Sequence, residues 1–213
     1  EEPQAPQAAR ALSRGQRQAL LPARHRAPGP AIQTRPGLLA DPRIGEVYLS
    51  AEEIQARVEE LGADVAADYD DLEPILVASL KTALVFVADL SRALPIVHNL
   101  DFIALAGYEG NGASGRQVRL LKDLGMSING RHVLLVEDIV DTGLTLNYLA
   151  KTLLLREPAS LGAVTLLDRP YRRLVEDLPV RYVGFTVPDE FFVGYGFDMD
   201  ERYRNLPDLR LLR

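Results

Sequence analysis

Residues 133–145 read VLLVEDIVDTGLT, and this stretch decides the fold. Four apolar residues typical of a buried strand lead into the carboxylates of Glu137 and Asp138. A short Asp-Thr-Gly loop and the apolar pattern of a helix follow. Ligands of an open parallel sheet bind beyond the carboxyl ends of its strands. Helix N-terminal amides lack partners within the helix and attract anions. The stretch therefore predicts a strand, an anion-binding loop and a helix, in that order.

The two acids beside this loop require a ligand that is more than a bare phosphate. Sugar hydroxyls donate hydrogen bonds to carboxylates, and Mg²⁺ takes carboxylate oxygens while bridging to phosphates. Thr142 and Thr145 add hydroxyl donors, and Gly143 permits a backbone conformation that a side chain would oppose. A phosphorylated ribose that carries a magnesium pyrophosphate meets all these demands.

Two other interpretations of the stretch remain. It could be a solvated acidic loop without a ligand. It also contains the Asp141-Thr142-Gly143 triplet of aspartic proteases, but that chemistry needs two carboxylates that share a proton. The triplet occurs once in this chain, and a following helix contradicts an all-β protease.

Charge and composition limit the class of protein. The chain has 213 residues, no cysteine and a net charge of −6. Residues 1–40 carry +4 and the remainder −10, which argues against nucleic acid as the main partner. No apolar run approaches the roughly 20 residues that cross a bilayer. The absence of cysteine fits a reducing cytosol. Together with the sugar-phosphate ligand inferred for residues 133–145, these features predict a cytoplasmic protein that uses small-molecule substrates and binds neither nucleic acid nor membrane.

The rest of the chain alternates between strand and helix patterns. Residues 1–42, which are rich in Pro and Arg, predict a disordered leader, and residues 43–213 one domain. Ser50 followed by Glu53 is a capping-box signature before a helix, and further helices are predicted at 83–94 and 146–154. Residues 107–115, with four glycines, predict a mobile loop, and Asn129-Gly130 a tight turn. Short apolar runs predict strands at 75–78, 102–106, 118–121, 132–136, 163–167 and 182–185. This alternation predicts an α/β fold with a parallel sheet covered on both faces.

The stretch at 133–145 resembles the phosphoribosyl pyrophosphate motif of the hypoxanthine-guanine phosphoribosyltransferase family, and the resemblance runs from about Ile44 to Leu212. It implies the type I phosphoribosyltransferase fold, a mainly parallel sheet flanked by helices with a small C-terminal hood. It also implies transfer of the phosphoribosyl group from 5-phosphoribosyl 1-pyrophosphate to hypoxanthine or guanine, giving IMP or GMP plus pyrophosphate in purine salvage. The implied cofactor is Mg²⁺, and the implied assembly is a homodimer or homotetramer.

The resemblance assigns roles to individual residues. Asp141 would be the general base that takes a proton from the imidazole ring of the purine. Glu137 and Asp138 would hold the ribose hydroxyls and help place Mg²⁺, and Asp198 would help bind a second Mg²⁺. The other implied contacts to phosphoribosyl pyrophosphate are Lys81, Thr82, Thr142, Gly143, Leu144, Thr145 and Arg204.

The purine would lie under residues 187–198, which resemble the hood of the family. Phe191 would stack on the base and Phe192 would contact its edge through the backbone; Arg169 and Asp198 complete the implied purine site. Gly107 and Tyr108 would open a lid over the substrates. Without the resemblance, the two phenylalanines are equally well interpreted as core aromatics, Lys81 as a surface lysine and the lid as a surface loop.

Three residues depart from the pattern of the family. Thr82 stands where the family has Gly, in a loop that holds a non-proline cis peptide before the lysine. Gly107 replaces Ser in the lid, and Arg169 replaces the Lys that donates to the 6-oxo group. Arg also donates but is longer and planar, so we expect retained 6-oxopurine preference with altered affinity. The departures leave open a catalytically weak or inactive nucleotide-binding protein of the same fold, or preference for another base such as xanthine.

Overall fold

Strands and helices alternate along the chain in this computed structural model, which describes residues 41–108 and 117–213, with side chains at 41–105 and 120–213. A 3-10 turn at Pro170–Arg172 follows the sixth strand. The bounds, in chain order, are β1 Ile44–Leu49, α1 Ala51–Tyr69, β2 Ile75–Leu80, α2 Leu84–Ala93, β3 Asn99–Tyr108, β4 Gln117–Lys122, β5 His132–Val140, α3 Leu144–Leu154, β6 Ser160–Asp168, β7 Val180–Thr186, β8 Phe192–Val193 and β9 Leu209–Leu212.

Six strands form the central sheet in the order β4-β3-β2-β5-β6-β7. Neighbouring strands are parallel except at one edge, where β4 runs antiparallel to β3. One cluster of buried apolar side chains packs under α1 and α2, and a second packs under α3 on the other face. Burial on both faces explains the nearly continuous apolar runs of these strands. The predicted α/β fold with a mainly parallel sheet is confirmed.

The predicted capping box begins α1. The Glu53 amide donates to Ser50 Oγ at 3.2 Å, and the Ser50 amide donates to Glu53 Oε2 at 2.8 Å. These reciprocal bonds satisfy two donors that the first helical turn leaves free. Gly130 has a φ of +68° at the predicted Asn129-Gly130 turn.

A second sheet forms the hood, with the strand order β1-β9-β8. Its three strands are antiparallel. The hood thus combines the C-terminal strands with β1, which comes from the start of the described chain. Tyr48 of β1 contacts Phe192 of β8, with ring centroids 5.0 Å apart, so β1 supports the part of the hood that faces the central sheet.

All six strands predicted from sequence extend beyond their predicted ends, and at β5 and β2 the extension adds residues of the polar edge to the strand. β5 continues to Val140 because Glu137, Ile139 and Val140 pair with β6, so Glu137 and Asp138 lie inside the strand and not after it. β2 continues to Leu80 because its last residues pair with β3, so Ser79 is also a strand residue. The apolar pattern did not predict these strand ends, because polar residues follow the apolar run. Backbone pairing with a neighbouring strand continues through polar residues.

The loop predicted at 107–115 also begins later than expected. Gly107 and Tyr108 belong to β3, where they pair with Val118 and Gln117 of β4. Residues 109–116 lie outside the described part of the chain, and so does the predicted leader except for its last two residues. No helix within 41–108 and 117–213 combines the length and apolar character needed to cross a membrane.

Candidate active site

The carboxyl ends of β2, β5 and β6 lie side by side in the sheet. They deliver Lys81 and Thr82, the acids of residues 137–141, and Arg169 to the same edge. Four hood residues line the same pocket as the strand ends: Phe191, Phe192, Phe197 and Asp198. The arrangement follows from the parallel order of the strands, since parallel neighbours end at one edge of a sheet.

Glu137 and Asp138 are the most perturbed carboxylates of this edge. Burial raises the pKa of Glu137 well above its ordinary value, and the neighbouring Asp138 carboxylate adds to the effect, while a hydrogen bond from Ser79 opposes it. Glu137 Oε1 is buried without a hydrogen-bond partner. Burial also raises the pKa of Asp138 to about 6, although backbone amides and Arg204 oppose the shift. Such a pair favours a partner that supplies positive charge or donors.

The loop after β5 leads into the N-terminus of α3, and residues 142–145 at this junction are called the cup below. Gly143 has a φ of +82°, a conformation that L side chains rarely adopt, and a Cβ there would lie 2.7 Å from Leu178 Cδ1. The N-cap residue of α3, Gly143, makes no side-chain capping bond. The amides that follow Leu144 in the first turn are therefore available to an anion. Leu144 and Thr145 lie exposed at this end, and Thr142 Oγ1 accepts from the Leu144 amide at 3.4 Å.

Asp141 lies among three arginines of the segment after β6. Its Oδ2 is 3.8 Å from Arg169 Nη1, and its Oδ1 is 3.2 Å from Arg172 Nε. Oδ1 is buried and accepts no hydrogen bond, so Arg172 interacts with it through charge alone. Arg173 donates to the backbone carbonyl of Asp141 at 3.2 Å and pairs with Asp168. Arginine contacts thus fix both the side chain and the backbone of Asp141, the predicted general base.

Arg169 is buried, with 5% of its surface exposed. Its guanidinium lies 5.7 Å from the centroid of the Phe192 ring and donates to the carbonyl of Glu190. Its Nε has no hydrogen-bond partner. Because a buried cation is costly unless it is paired, these contacts and Asp141 fix the guanidinium at the pocket wall.

Lys81 and Thr82 lie in the loop after β2. The peptide bond between Leu80 and Lys81 is cis, which confirms the cis peptide that the family resemblance implied. Thr82 stands in place of the expected glycine and is accommodated in this loop. Gly196 of the hood approaches the Thr82 backbone closely, because a Cβ on Gly196 would lie 2.3 Å from the Thr82 carbonyl oxygen. The Lys81 ammonium lies 3.1 Å from Glu201 Oε2.

Arg204 joins the hood to this loop. It donates to the Gly196 carbonyl at 2.8 Å and to Thr82 Oγ1 at 3.4 Å. It pairs with Asp198 at 2.8 Å and with Glu201 at 3.0 Å. Asp198, predicted as a metal and purine contact, lines the pocket but already pairs with this guanidinium, so a cation or a base would compete with Arg204 for it.

Comparison with known proteins agrees with this geometry. The model of the phosphoribosyl transferase domain matches residues 46–200. The hypoxanthine-guanine phosphoribosyltransferase of Bacillus subtilis is 44% identical over 170 residues, covering 80% of this chain and 94% of the relative. The chain belongs to the hypoxanthine-guanine phosphoribosyltransferase family. The hypoxanthine phosphoribosyltransferase of Salmonella typhimurium is 47% identical over 76% of this chain and 92% of its own length.

Solved structures of phosphoribosyltransferases share the fold. A hypoxanthine-guanine phosphoribosyltransferase from Bacillus anthracis, with HEPES in its active site, has a TM-score of 0.74 and 42% identity over 80% of this chain and 98% of its own. The Trypanosoma cruzi hypoxanthine phosphoribosyltransferase in complex with the product IMP has a TM-score of 0.74 and 41% identity, covering 81% of this chain and 96% of that one. The resemblance stated from the sequence and the type I fold are therefore confirmed.

A pocket of about 240 Å³ lies between the strand ends and the hood. Phe191 is 67% exposed and Phe192 6%, so Phe191 is free to stack on a base, whereas the Phe192 side chain belongs to the hood core. The residues predicted from sequence that line it are Thr82, Asp138, Asp141, Arg169, Phe191, Phe192 and Asp198.

Other predicted residues lie beside the pocket or outside the described side chains. Glu137 is buried next to Asp138 in β5. Lys81 precedes Thr82 in the chain, and Arg204 donates to the Thr82 hydroxyl. Residues 142–145 form the cup. Gly107 and Tyr108 are described only as backbone, so their role as a lid stays a prediction.

Sequence analysis missed three side chains of this phosphoribosyltransferase site: Arg172, Arg173 and Glu201. Arg172 and Arg173 lie three and four residues after Arg169, the predicted purine contact. Three arginines within five residues after a strand could have indicated them. The signal for Glu201 is weaker, because a single acid in a charged loop is common. Its relation to Lys81 arises only when the hood folds back over the sheet.

Proposed function

We propose that this phosphoribosyltransferase transfers the 5-phosphoribosyl group from phosphoribosyl pyrophosphate to hypoxanthine or guanine, releasing pyrophosphate. The observation that carries the proposal is the pair formed by Arg169 and Asp141 at the pocket wall, with Nη1 and Oδ2 3.8 Å apart. This pair places a hydrogen-bond donor beside an acceptor.

A 6-oxopurine presents the complementary pattern. Its 6-oxo group accepts a hydrogen bond, and the neighbouring imidazole N–H donates one when the proton is on that nitrogen. Arg169 would donate to the oxygen while Asp141 would accept from the N–H. Adenine has an amino group at position 6, so its donor would face a buried guanidinium. Sites that leave buried polar groups unpaired discriminate strongly, which supports a 6-oxopurine over adenine.

Asp141 is the proposed general base. It would take the imidazole proton as the other ring nitrogen attacks the anomeric carbon of the ribose. The Asp141 carboxylate follows the end of β5 and lines the same pocket as Phe191. It would therefore be within reach of a base that stacks on Phe191. Proton transfer to a positioned carboxylate contributes about 10²–10⁴-fold to rate, and positioning in the cup adds to it.

The residues fit Mg²⁺ as the cofactor. Among the described residues, no group of three or more His, Cys, Asp or Glu side chains is placed to hold a metal ion, but Mg²⁺ is usually held by one or two carboxylates together with substrate phosphates. Asp138, which lines the pocket and has a raised pKa, suits that arrangement. Its neighbour Glu137 has a buried Oε1 without a hydrogen-bond partner. When bound, Mg²⁺ would neutralise charge on the departing pyrophosphate.

The other contacts follow from position. The amides of residues 141–145 would bind the 5′-phosphate, and Lys81, Thr82 and Arg204 would bind pyrophosphate. Asp198 would contact a second Mg²⁺ once Arg204 moves to the leaving group. Gly107 and Tyr108 would open a lid that excludes water.

The assembly, domain limits and location are also proposals. A homodimer or homotetramer is supported by the family resemblance, and one domain over residues 43–213 agrees with the family match to residues 46–200. Residues 1–42 as a disordered leader and a cytoplasmic location remain predictions.

An assay with phosphoribosyl pyrophosphate, Mg²⁺ and, separately, hypoxanthine, guanine, xanthine and adenine tests the proposal. We expect IMP and GMP, with adenine turned over least. Nucleotide binding without product would favour an inactive member of the fold, and AMP as the main product would contradict the roles of Arg169 and Asp141.

A further inference from the structure

We propose that Arg172 is a positioning residue that ties the general base Asp141 to the purine hood. This inference rests on the proposed function, because it assigns Arg172 a role through Asp141. Arg172 belongs to the 3-10 turn at Pro170–Arg172, and no motif of the sequence analysis included it.

The first observation is that Arg172 contacts acids on two different elements. Its Nε lies 3.2 Å from Asp141 Oδ1, in the loop after β5, and its Nη1 donates to Asp189 Oδ1 at 2.8 Å, just before β8. Arginine suits this bridge because its planar fork presents donors along two edges. A single side chain therefore connects the catalytic loop to the hood.

The second observation is that the two oxygens of Asp141 have different surroundings. Oδ1 is buried and lies beside Arg172, whereas Oδ2 faces Arg169 across 3.8 Å. With Oδ1 held by charge, Oδ2 is the oxygen left to accept the proton of the purine. Arg172 thus selects the orientation of the carboxylate and keeps it aligned with the donor that recognises the 6-oxo group.

The bridge also relates base binding to catalysis. Asp189 lies two residues before Phe191, the predicted stacking residue of the hood, so a base that moves the hood moves the partner of Arg172. Exposed ion pairs contribute little to stability, and Arg172 is 37% exposed. We therefore expect loss of Arg172 to affect the chemical step more than folding.

The test compares Arg172→Gln with Arg156→Gln in steady-state assays of the full chain. Arg156 is a matched control, because it is 32% exposed and pairs with Asp123 at 2.8 Å outside the site. We expect Arg172→Gln to lower kcat about tenfold, with the KM for phosphoribosyl pyrophosphate within twofold of wild type and an unchanged Tm. Arg156→Gln should leave all of these values unchanged, and Arg172→Lys should recover part of kcat.

A double-mutant cycle with Asp189→Asn completes the test. If Arg172 acts as a bridge, Arg172→Gln combined with Asp189→Asn lowers kcat no more than Arg172→Gln alone. A kcat for Arg172→Gln within twofold of wild type, or additive losses in the cycle, would overturn the inference. If Arg172→Gln does not fold, Asp189→Asn alone decides: an unchanged kcat overturns the bridge. A wild-type chain without activity would instead contradict the proposed function.

Discussion

Glu201 Oε2 lies 3.1 Å from the Lys81 ammonium and 3.0 Å from Arg204 Nη2. One carboxylate oxygen of the hood thus contacts both cations proposed to bind pyrophosphate. The two cations lower the pKa of Glu201, which keeps it charged. An anionic ligand must therefore displace this carboxylate before it can use Lys81 and Arg204.

We expect Glu201→Gln to bind inorganic pyrophosphate more tightly than wild type. Because exposed ion pairs are weak, the expected gain is only about two- to fivefold in Kd by calorimetry at low salt. Asp200→Asn is the matched control, because Asp200 pairs with Arg43 at 3.3 Å and touches neither cation. Weaker binding by Glu201→Gln would mean that Glu201 holds the cations in their binding positions.

Asp138 makes stability depend on pH. Its pKa in the folded chain, about 6, lies above the ordinary 3.8, so the folded state holds its proton more tightly than the unfolded state. This contribution is favourable at low pH and is lost as pH rises from about 4 to 6. Without Mg²⁺, we expect Asp138→Asn to raise the free energy of unfolding at pH 7.5 by up to roughly 3 kcal/mol. Urea unfolding should show this gain vanish near pH 4, and a gain that does not change with pH would contradict the burial of Asp138.

Arg169→Lys tests the departure from the family at the base site. Lysine lacks the planar fork but donates to the same 6-oxo group, so we expect turnover of guanine to be restored or raised and adenine to remain a poor substrate. The KM for phosphoribosyl pyrophosphate should stay within twofold of wild type. Competition assays with both bases measure the effect, and no change for either base would show that Arg169 does not contact the purine.

Gly196→Ala tests the close approach of the hood to the loop after β2. A Cβ at this position, where φ is +95°, would lie 2.3 Å from the Thr82 carbonyl oxygen. We expect a loss of about 2–4 kcal/mol in unfolding free energy and a raised KM for phosphoribosyl pyrophosphate. Gly130→Ala is the control, because Gly130 has a φ of +68° with nothing within 4 Å of its Cβ position. Gly130→Ala should lower the unfolding free energy by about 1–2 kcal/mol and leave the KM for phosphoribosyl pyrophosphate unchanged. Equal losses at the two glycines would contradict this account of Gly196.

The strand and loop around Asp141 could be predicted from sequence because their signals are local. The signals there are the apolar run before Glu137 and the glycine at position 143. The Ser50–Glu53 capping box is predictable for the same reason, because its two residues lie three positions apart. The ends of β2 and β5 could not be predicted, because pairing with β3 and β6 continues through polar residues.

The electrostatic partners of the site also escaped prediction. Arg172 reaches Asp141 across 31 positions of sequence, and Glu201 reaches Lys81 across 120. Such contacts form only when the segment after β6 and the hood close over the sheet. The resemblance named Lys81, Asp198 and Arg204 as site residues, but the sequence could not show that Arg204 pairs with Asp198 or that Glu201 pairs with Lys81 and Arg204.

The rate of IMP formation by Asp141→Asn, relative to wild type, tests the central claim most directly. With saturating phosphoribosyl pyrophosphate, Mg²⁺ and hypoxanthine, we predict a kcat about 10²–10⁴-fold lower, because Asn keeps the shape of the side chain but cannot take the purine proton. Binding of phosphoribosyl pyrophosphate should change little. A kcat for Asp141→Asn close to that of wild type would contradict the assignment of Asp141 as the general base.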